Sequence, residues 1–157
     1  MGNSVCCFTG HRIIEPQKLA RLSEVLEEII NGLIEKGTTT FRTGGAMGFD
    51  TLAALVVIDK KRENPDIKLE LHLPCKEQAC QWDMRSKEYY EYVLKSADTV
   101  KYVRGHYVKG CMHERNRALV NGADFCIAYC THSGGSAYTV DYAKKKGLRV
   151  LNIAGLL

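Results

Sequence analysis

Apolar runs separated by polar, glycine-bearing stretches divide the chain into short strands alternating with helices. SVCCF, residues 4 to 8, is a continuous apolar run and predicts a buried strand. TGHR follows as a loop. Pro16 opens a helix in which Leu19, Leu22, Leu26, Ile29, Ile30 and Leu33 recur at helical spacing, and Gly37 ends it. TTTFR is β-branched and aromatic, which predicts a second strand. TGGAMGFD is a turn, and from Phe49 to Ile58 the apolar residues run nearly all round a helix, as for one packed deep against a sheet. Asn64-Pro65-Asp66 breaks the chain. IKLELHLP alternates and predicts a third strand ending at Pro74, with loop from 75 to 85. SKEYYEYVLKSA predicts a helix with Tyr89, Val93 and Ala97 on one stripe, and TVKYV a short strand. RGHYVKG is a loop. MHERNRALVNGA predicts a helix with Met112, Leu119 and Val120 inward, and DFCIAYC a buried strand. THSGGS is a second glycine-rich turn, AYTVDYAKKKG a helix ended by Gly147, and LRVLNIAG the last strand.

This alternation predicts an α/β fold: one Rossmann-like, three-layer domain over residues 1–157, with a mostly parallel sheet covered on both faces. In such sheets ligands sit at the carboxyl ends of the strands, near the point where strand order reverses. TGHR, TGGAMGFD and THSGGS each follow a strand, so all three loops face one sheet edge.

Composition narrows the partners. The chain has 157 residues, 45 % apolar and 25 % charged, an ordinary globular balance for one domain. No apolar run is long enough to span a bilayer. The N-terminus reads as having no cleavable leader, and the myristoylation pattern begun by Gly2 fails at Cys6. The net charge of +4 permits a phosphate-bearing ligand without demanding nucleic acid. Seven cysteines form no C-x-x-C and read as reduced, mostly buried thiols of a cytoplasmic protein. The spacing of His113 and His132 demands no metal, and none is assigned.

The chemistry lies in the loops. Gly44, Gly45 and Gly48 allow close approach of backbone or ligand, and a helix start behind them favours an anion. Asp50, just inside that helix, can accept hydrogen bonds from a ribose hydroxyl or a water. Gly10, His11 and Arg12 follow the first strand, with Arg12 offering a donor fork to phosphate. Ser133, Gly134, Gly135, Ser136 and Thr139 combine open N–H groups with hydroxyls at a second helix start. A plain Ser N-cap is the structural alternative there. Arg115 and Arg117 lie two apart on a helix, so only one can enter the pocket and the other is expected to pair with surface carboxylates. Asn116 reads as helix surface. Trp82 reads as a packed loop tryptophan, with stacking on a base as its sharper use.

TGHR, GGAMGFD, ERNR and SGGSAYT, in that order, resemble the YpsA-like branch of the SLOG superfamily, from about Val5 to about Gly155. The resemblance implies a bacterial protein with a Rossmann-like fold and a pocket for a nucleotide or nucleotide-derived ligand, ADP-ribose-like compounds included. It assigns no fixed cofactor and is compatible with a homo-oligomer. Two related groups bracket the chain. LOG-type phosphoribohydrolases cleave a base from a nucleoside monophosphate and carry P-G-G-x-G-T-x-x-E. In SGGSAYTVD, Gly134 and Gly135 match, Ser133 stands for the proline, Ala137 for the third glycine, Tyr138 for the threonine and Asp141 for the glutamate. A hydrolase reading uses Asp141 or Asp50 as the acid and an arginine of the preceding helix, Arg115 or Arg117, on the phosphate. DprA-type proteins bind single-stranded DNA and are similar at RNR and SGGSAYTVDYAKKKG. Ligand sensing without chemistry is the leading reading, the hydrolase the first alternative and single-strand binding the second.

Overall fold

The computed structural model describes residues 3–157. Met1 and Gly2, and with them the reading of the extreme N-terminus, lie outside the described residues. Six strands and five α-helices follow in strict alternation: β1 (Ser4–Gly10), α1 (Pro16–Glu35), β2 (Thr38–Thr43), α2 (Phe49–Lys61), β3 (Lys68–Leu73), α3 (Met84–Ser96), β4 (Thr99–Tyr102), α4 (Cys111–Val120), β5 (Phe125–Tyr129), α5 (Gly135–Lys145) and β6 (Arg149–Asn152). A 3₁₀ turn, Ile153–Leu156, closes the chain. The sheet order is β4-β3-β2-β1-β5-β6, and every neighbouring pair is parallel. Successive strands step outward from β1 to β4, then the chain crosses back and places β5 on the other side of β1. Strand order therefore reverses between β1 and β5.

Side-chain alternation along the strands builds the two faces. Phe8, Phe41, Leu69, Leu71, Leu73, Ile127 and Tyr129 point to the layer of α1, α2 and α3, where they join Leu22, Leu26, Phe49 and Val57 in the main core. Cys7 and Cys126, opposite one another in register, point to the other layer and pack with Leu119, Val120 and Ala143 of α4 and α5. The alternation of IKLELHLP has the same cause. Its leucines enter the main core, while Glu70 and His72 face the second layer, with Glu70 paired to Arg42 at 3.1 Å. All seven cysteines are free, and five are buried.

Several element boundaries and faces differ from the sequence pattern. Thr9 and Gly10 extend β1 because Gly10 still pairs with Tyr129. Leu19 is exposed, the core stripe of α1 being Leu22, Val25, Leu26 and Ile30. On α3 the inward pair is Tyr90 and Val93, three apart, with Tyr89 turned out to solvent. On α4 Cys111 takes the buried place and Met112 is only half-buried. The last strand stops at Asn152, whose side-chain carbonyl accepts the Cys130 and Ala154 N–H groups at 3.2 Å each, while its amide donates to the Cys130 carbonyl at 2.8 Å. Among the described residues, no helix is long and apolar enough to cross a membrane.

Candidate ligand-binding cleft

A cleft of about 270 Å³ opens at the carboxyl edge of the sheet, at the β1/β5 reversal. Its walls come from the β1–α1 loop, the β2–α2 turn, α4 and the β5–α5 loop, so three loops distant in sequence do meet there.

The glycines of TGGAMGFD act behind the wall, not on it. Only Ala46 and Asp50 of that turn line the cleft. Gly44 is buried against Arg115, whose guanidinium carbon lies 2.9 Å from where a Cβ would stand. Gly45, at φ +70°, packs on Leu73, and Gly48, at φ +74°, lies against the backbone carbonyls of His11 and Arg12. That contact, with the Phe49 N–H donating to the His11 carbonyl at 3.1 Å, seats the β1–α1 loop on the start of α2. Gly10 is bare for a similar reason, because the Phe49 ring occupies the space of its missing side chain. The first donor of α2 is thus already used, and a carboxylate sits beside it. The α2 start is a poorer place for an anion than its glycines suggest.

Asp50 is buried and accepts the Ala46 N–H at 3.2 Å. Burial pushes its carboxyl up to about 6, against the opposing pull of Arg115, the Ala46 N–H and Arg12. Arg115 is 5 % exposed. Its Nη1 donates to the Gly44 carbonyl and to Gln78 Oε1 at 3.2 Å, and its Nε donates to Asn116 Oδ1 at 2.8 Å. All three acceptors are neutral, and Arg115 makes no ion pair with any described residue. Burial lowers its pKa, the nearby Asp50 charge opposing. A buried cation whose hydrogen-bond acceptors are all neutral, with the Asp50 charge acting on it only through space, keeps attraction for an anion entering the cleft.

Two further parts of the cleft carry donors, the Arg12 side chain and the start of α5. Arg12 is exposed, lines the cleft, and hydrogen-bonds to no described residue through its side chain. At α5 the N-cap is Gly134, with no side-chain cap, so the plain Ser cap is not formed. Gly134, Gly135 and Ser136 line the cleft, leaving the first amides of an eleven-residue helix toward it with the positive dipole end behind them. His11 and His132 stack at the rim, and His11 Nε2 accepts the Thr131 N–H at 2.7 Å.

The remaining candidates sit apart. Thr139 is buried and donates to the Gly135 carbonyl at 3.0 Å. Arg117 turns away from the cleft and donates to the Tyr138 hydroxyl at 2.7 Å, not to a carboxylate. The Tyr138 ring stacks on His113, centroids 4.3 Å apart. Asp141 is exposed on α5 and does not line the cleft. Asn116, read from sequence as helix surface, is buried and is the Arg115 acceptor. Thr9, Gly10, Met112, His113, Leu119 and Ser133 complete the lining, so Gly10 and Ser133 stand where the sequence placed them.

The sequence profile of the YspA SLOG family matches residues 6–151. The UPF0398 protein of Halalkalibacterium halodurans is 33% identical over 129 residues, covering 80% of this chain and 68% of that protein. Among solved structures, DNA processing protein A of Streptococcus pneumoniae superposes with a TM-score of 0.67 at 20% identity, over 95% of this chain and 49% of that one. The Helicobacter pylori protein of the same name, described in a single-stranded DNA binding mode, gives 0.65 at 17% identity, over 95% of this chain and 64% of that one. At these identities the likeness is one of fold. This chain spans about half the length of the pneumococcal protein.

Proposed function

The chain belongs to the YspA SLOG family, and we propose that it binds a phosphate-bearing nucleotide or nucleotide-derived ligand in the β1/β5 cleft, as a sensor or regulatory protein. The observation that carries the reading is Arg115: a buried guanidinium hydrogen-bonded only to neutral acceptors and in no ion pair with a described residue, lining a cleft that the uncapped α5 amino end also lines. Phosphate satisfies both. Its oxygens take the open amides, and its charge meets the cation and the helix dipole. Hydrogen bonds to charged groups are worth about 1.5–3 kcal/mol each, enough for a few of them to hold a small anion. Arg12 adds an exposed donor fork at the mouth. Asp50, on the floor, accepts hydroxyl hydrogens, as a ribose attached to that phosphate would require.

One observation favours a second reading, N-glycosidic hydrolysis. A carboxylate beside the sugar is needed where positive charge develops, and Asp50 is a cleft carboxyl held near 6. The DNA-binding description of the Helicobacter neighbour supplies a third, weaker reading, supported here by fold alone.

Calorimetric titration with inorganic phosphate, ribose 5-phosphate, AMP and ADP-ribose tests the proposal, in the wild type and in Gly135→Val. A Cβ at position 135 meets only Asn116 Nδ2, at 3.9 Å, so the variant is expected to fold while filling the anion site. Binding in the wild type and its loss in the variant are expected. No binding by any phosphate compound, or equal binding by the variant, overturns the reading.

A further inference from the structure

Beside the cleft lies a second cavity of about 550 Å³, and the two share Arg12 and Met112 in their linings. We propose that this second cavity is the seat of a heteroaromatic base, so that the ligand spans both: base in the second cavity, phosphate at α5, and the linkage passing Arg12. The ligand class is then a nucleotide that carries its base, not a bare sugar phosphate. The proposal rests on the phosphate reading of the first cleft and goes further, to ligand length and to the recognition of a ring.

Size is the first reason. At about 270 Å³ the first cleft falls just below the range of about 300–1,000 Å³ usual for whole small-molecule sites. A phosphate and a ribose fill it, and a base attached to them must leave it. The two cavities adjoin at Arg12 and Met112, which is where such a base would pass.

The lining is the second reason. Trp82, Tyr107, Met47 and Met112 give the second cavity flat and polarisable apolar surface, which suits a π-face of any base. Trp82 is braced, its ring meeting the buried Tyr90 edge-on with centroids 5.2 Å apart. The opposite loop is tied down as well. Glu77 accepts the Tyr107 N–H at 2.9 Å and pairs with His106 Nδ1 at 2.8 Å, joining the β4–α4 loop to the β3–α3 loop. Tyr107 itself is 61% exposed, an aromatic presented at a cavity rim by an anchored backbone. Gln81 also lines the cavity, and its side chain hydrogen-bonds to no described residue, leaving a donor and an acceptor for a base edge.

Trp82 is the chain's single tryptophan, so its fluorescence reports this cavity alone. The experiment titrates ADP-ribose, AMP and ribose 5-phosphate, following tryptophan emission and heat in parallel. ADP-ribose should change the emission and bind more tightly than ribose 5-phosphate, which should give heat with no change in emission. Trp82→Ala should weaken ADP-ribose by about 5- to 150-fold, the range of one base–aromatic stack, and leave ribose 5-phosphate unchanged. Tyr107→Ala, at an exposed position, should weaken ADP-ribose in the same direction without touching the Tyr90 packing. The proposal is overturned if ADP-ribose and ribose 5-phosphate bind equally well, or if neither aromatic variant separates them. Loss of ribose 5-phosphate binding in Gly135→Val under those same outcomes would leave the phosphate cleft standing. Base-dependent emission changes that persist in Gly135→Val would sink the phosphate cleft and keep the base cavity.

Discussion

The imidazoles of His11 and His132 stack face to face, ring centroids 3.8 Å apart and planes within 1°, joining the β1–α1 loop to the β5–α5 loop at the cleft rim. His11 Nε2 accepts the Thr131 N–H, which requires that nitrogen to be unprotonated. Burial, and next the neighbouring His132, lower the His11 pKa from 6.5. A histidine depressed in the folded state lets the unfolded chain take up its proton first. The stability it confers is therefore present above 6.5 and is lost as pH falls through the folded value. The wild-type melting temperature should drop more between pH 7 and pH 5 than that of His11→Gln, which keeps an acceptor but cannot titrate. Parallel pH profiles of the two proteins would disprove the coupling.

Asp50 has the opposite sign. Its folded pKa of about 6 lies above the ordinary 3.8, so the unfolded chain ionises first and stability falls as pH rises from about 4 to about 6. The cost above that window is about 2–3 kcal/mol. Asp50→Asn keeps an acceptor for the Ala46 N–H and removes the buried charge. It should be more stable than the wild type by roughly that amount at pH 8, with the gain vanishing near pH 4. Urea denaturation at both pH values is the check. A variant less stable at pH 8 would show that Arg115 depends on the Asp50 charge to stay buried.

Gly48 and Gly110 both have positive φ, +74° and +87°, but a side chain at Gly48 would run into the Arg12 carbonyl and one at Gly110 meets nothing. Strain alone should cost Gly110→Ala about 1–2 kcal/mol. Gly48→Ala adds the backbone overlap and should cost at least about 1 kcal/mol more, with loss of phosphate binding because the Arg12 loop is displaced. Equal stabilities in denaturant titrations would mean that the β1–α1 loop does not depend on that contact.

How much of this was legible follows from which residues carry local signals. Strand–helix alternation, the parallel sheet and the meeting of three loops at one edge followed from apolar runs and their order, because hydrophobic period is a local property. The role of Gly44 was not local. It is bare because Arg115, from an element far along the chain, lies against it. Asn116 was hidden for the same reason. Tyr89 and Tyr90 both fit a helix stripe through adjoining registers, and only the sheet beneath decides which one faces in. Asp141 kept its motif spacing, yet the turn of α5 leaves it exposed and outside the cleft.

Nucleic-acid binding separates from small-ligand binding through salt. Affinity for a polyanion falls steeply with salt in proportion to the phosphates neutralised. The net charge is only +4, and Lys144, Lys145 and Lys146 cluster at the carboxyl end of α5, opposite its cleft end. Single-stranded DNA should bind no more tightly than roughly micromolar at physiological salt. Fluorescence anisotropy with a labelled oligonucleotide measures it. Tight binding with a steep salt slope would favour the reading taken from the Helicobacter neighbour.

Chemistry on a bound nucleotide depends on which carboxylate stands beside its sugar. Breaking an N-glycosidic bond builds positive charge on the sugar, and the stabilising carboxylate must stand beside it. A misplacement of about 1 Å can cost about 10²-fold. Asp141 is outside the cleft altogether, so it cannot serve a sugar bound there. Asp50 is inside, but it is buried on the floor and accepts the Ala46 N–H, an arrangement that suits holding a hydroxyl. Incubation with nucleoside monophosphates should therefore release little or no free base by chromatography, and Asp141→Asn should change neither that result nor ligand affinity. Asp50→Asn should weaken binding of ribose-bearing compounds by about tenfold, the worth of one charge-assisted hydrogen bond, with little effect on inorganic phosphate. Vigorous base release by the wild type that survives in Asp141→Asn and disappears in Asp50→Asn would make the protein a hydrolase with its acid on the first glycine turn.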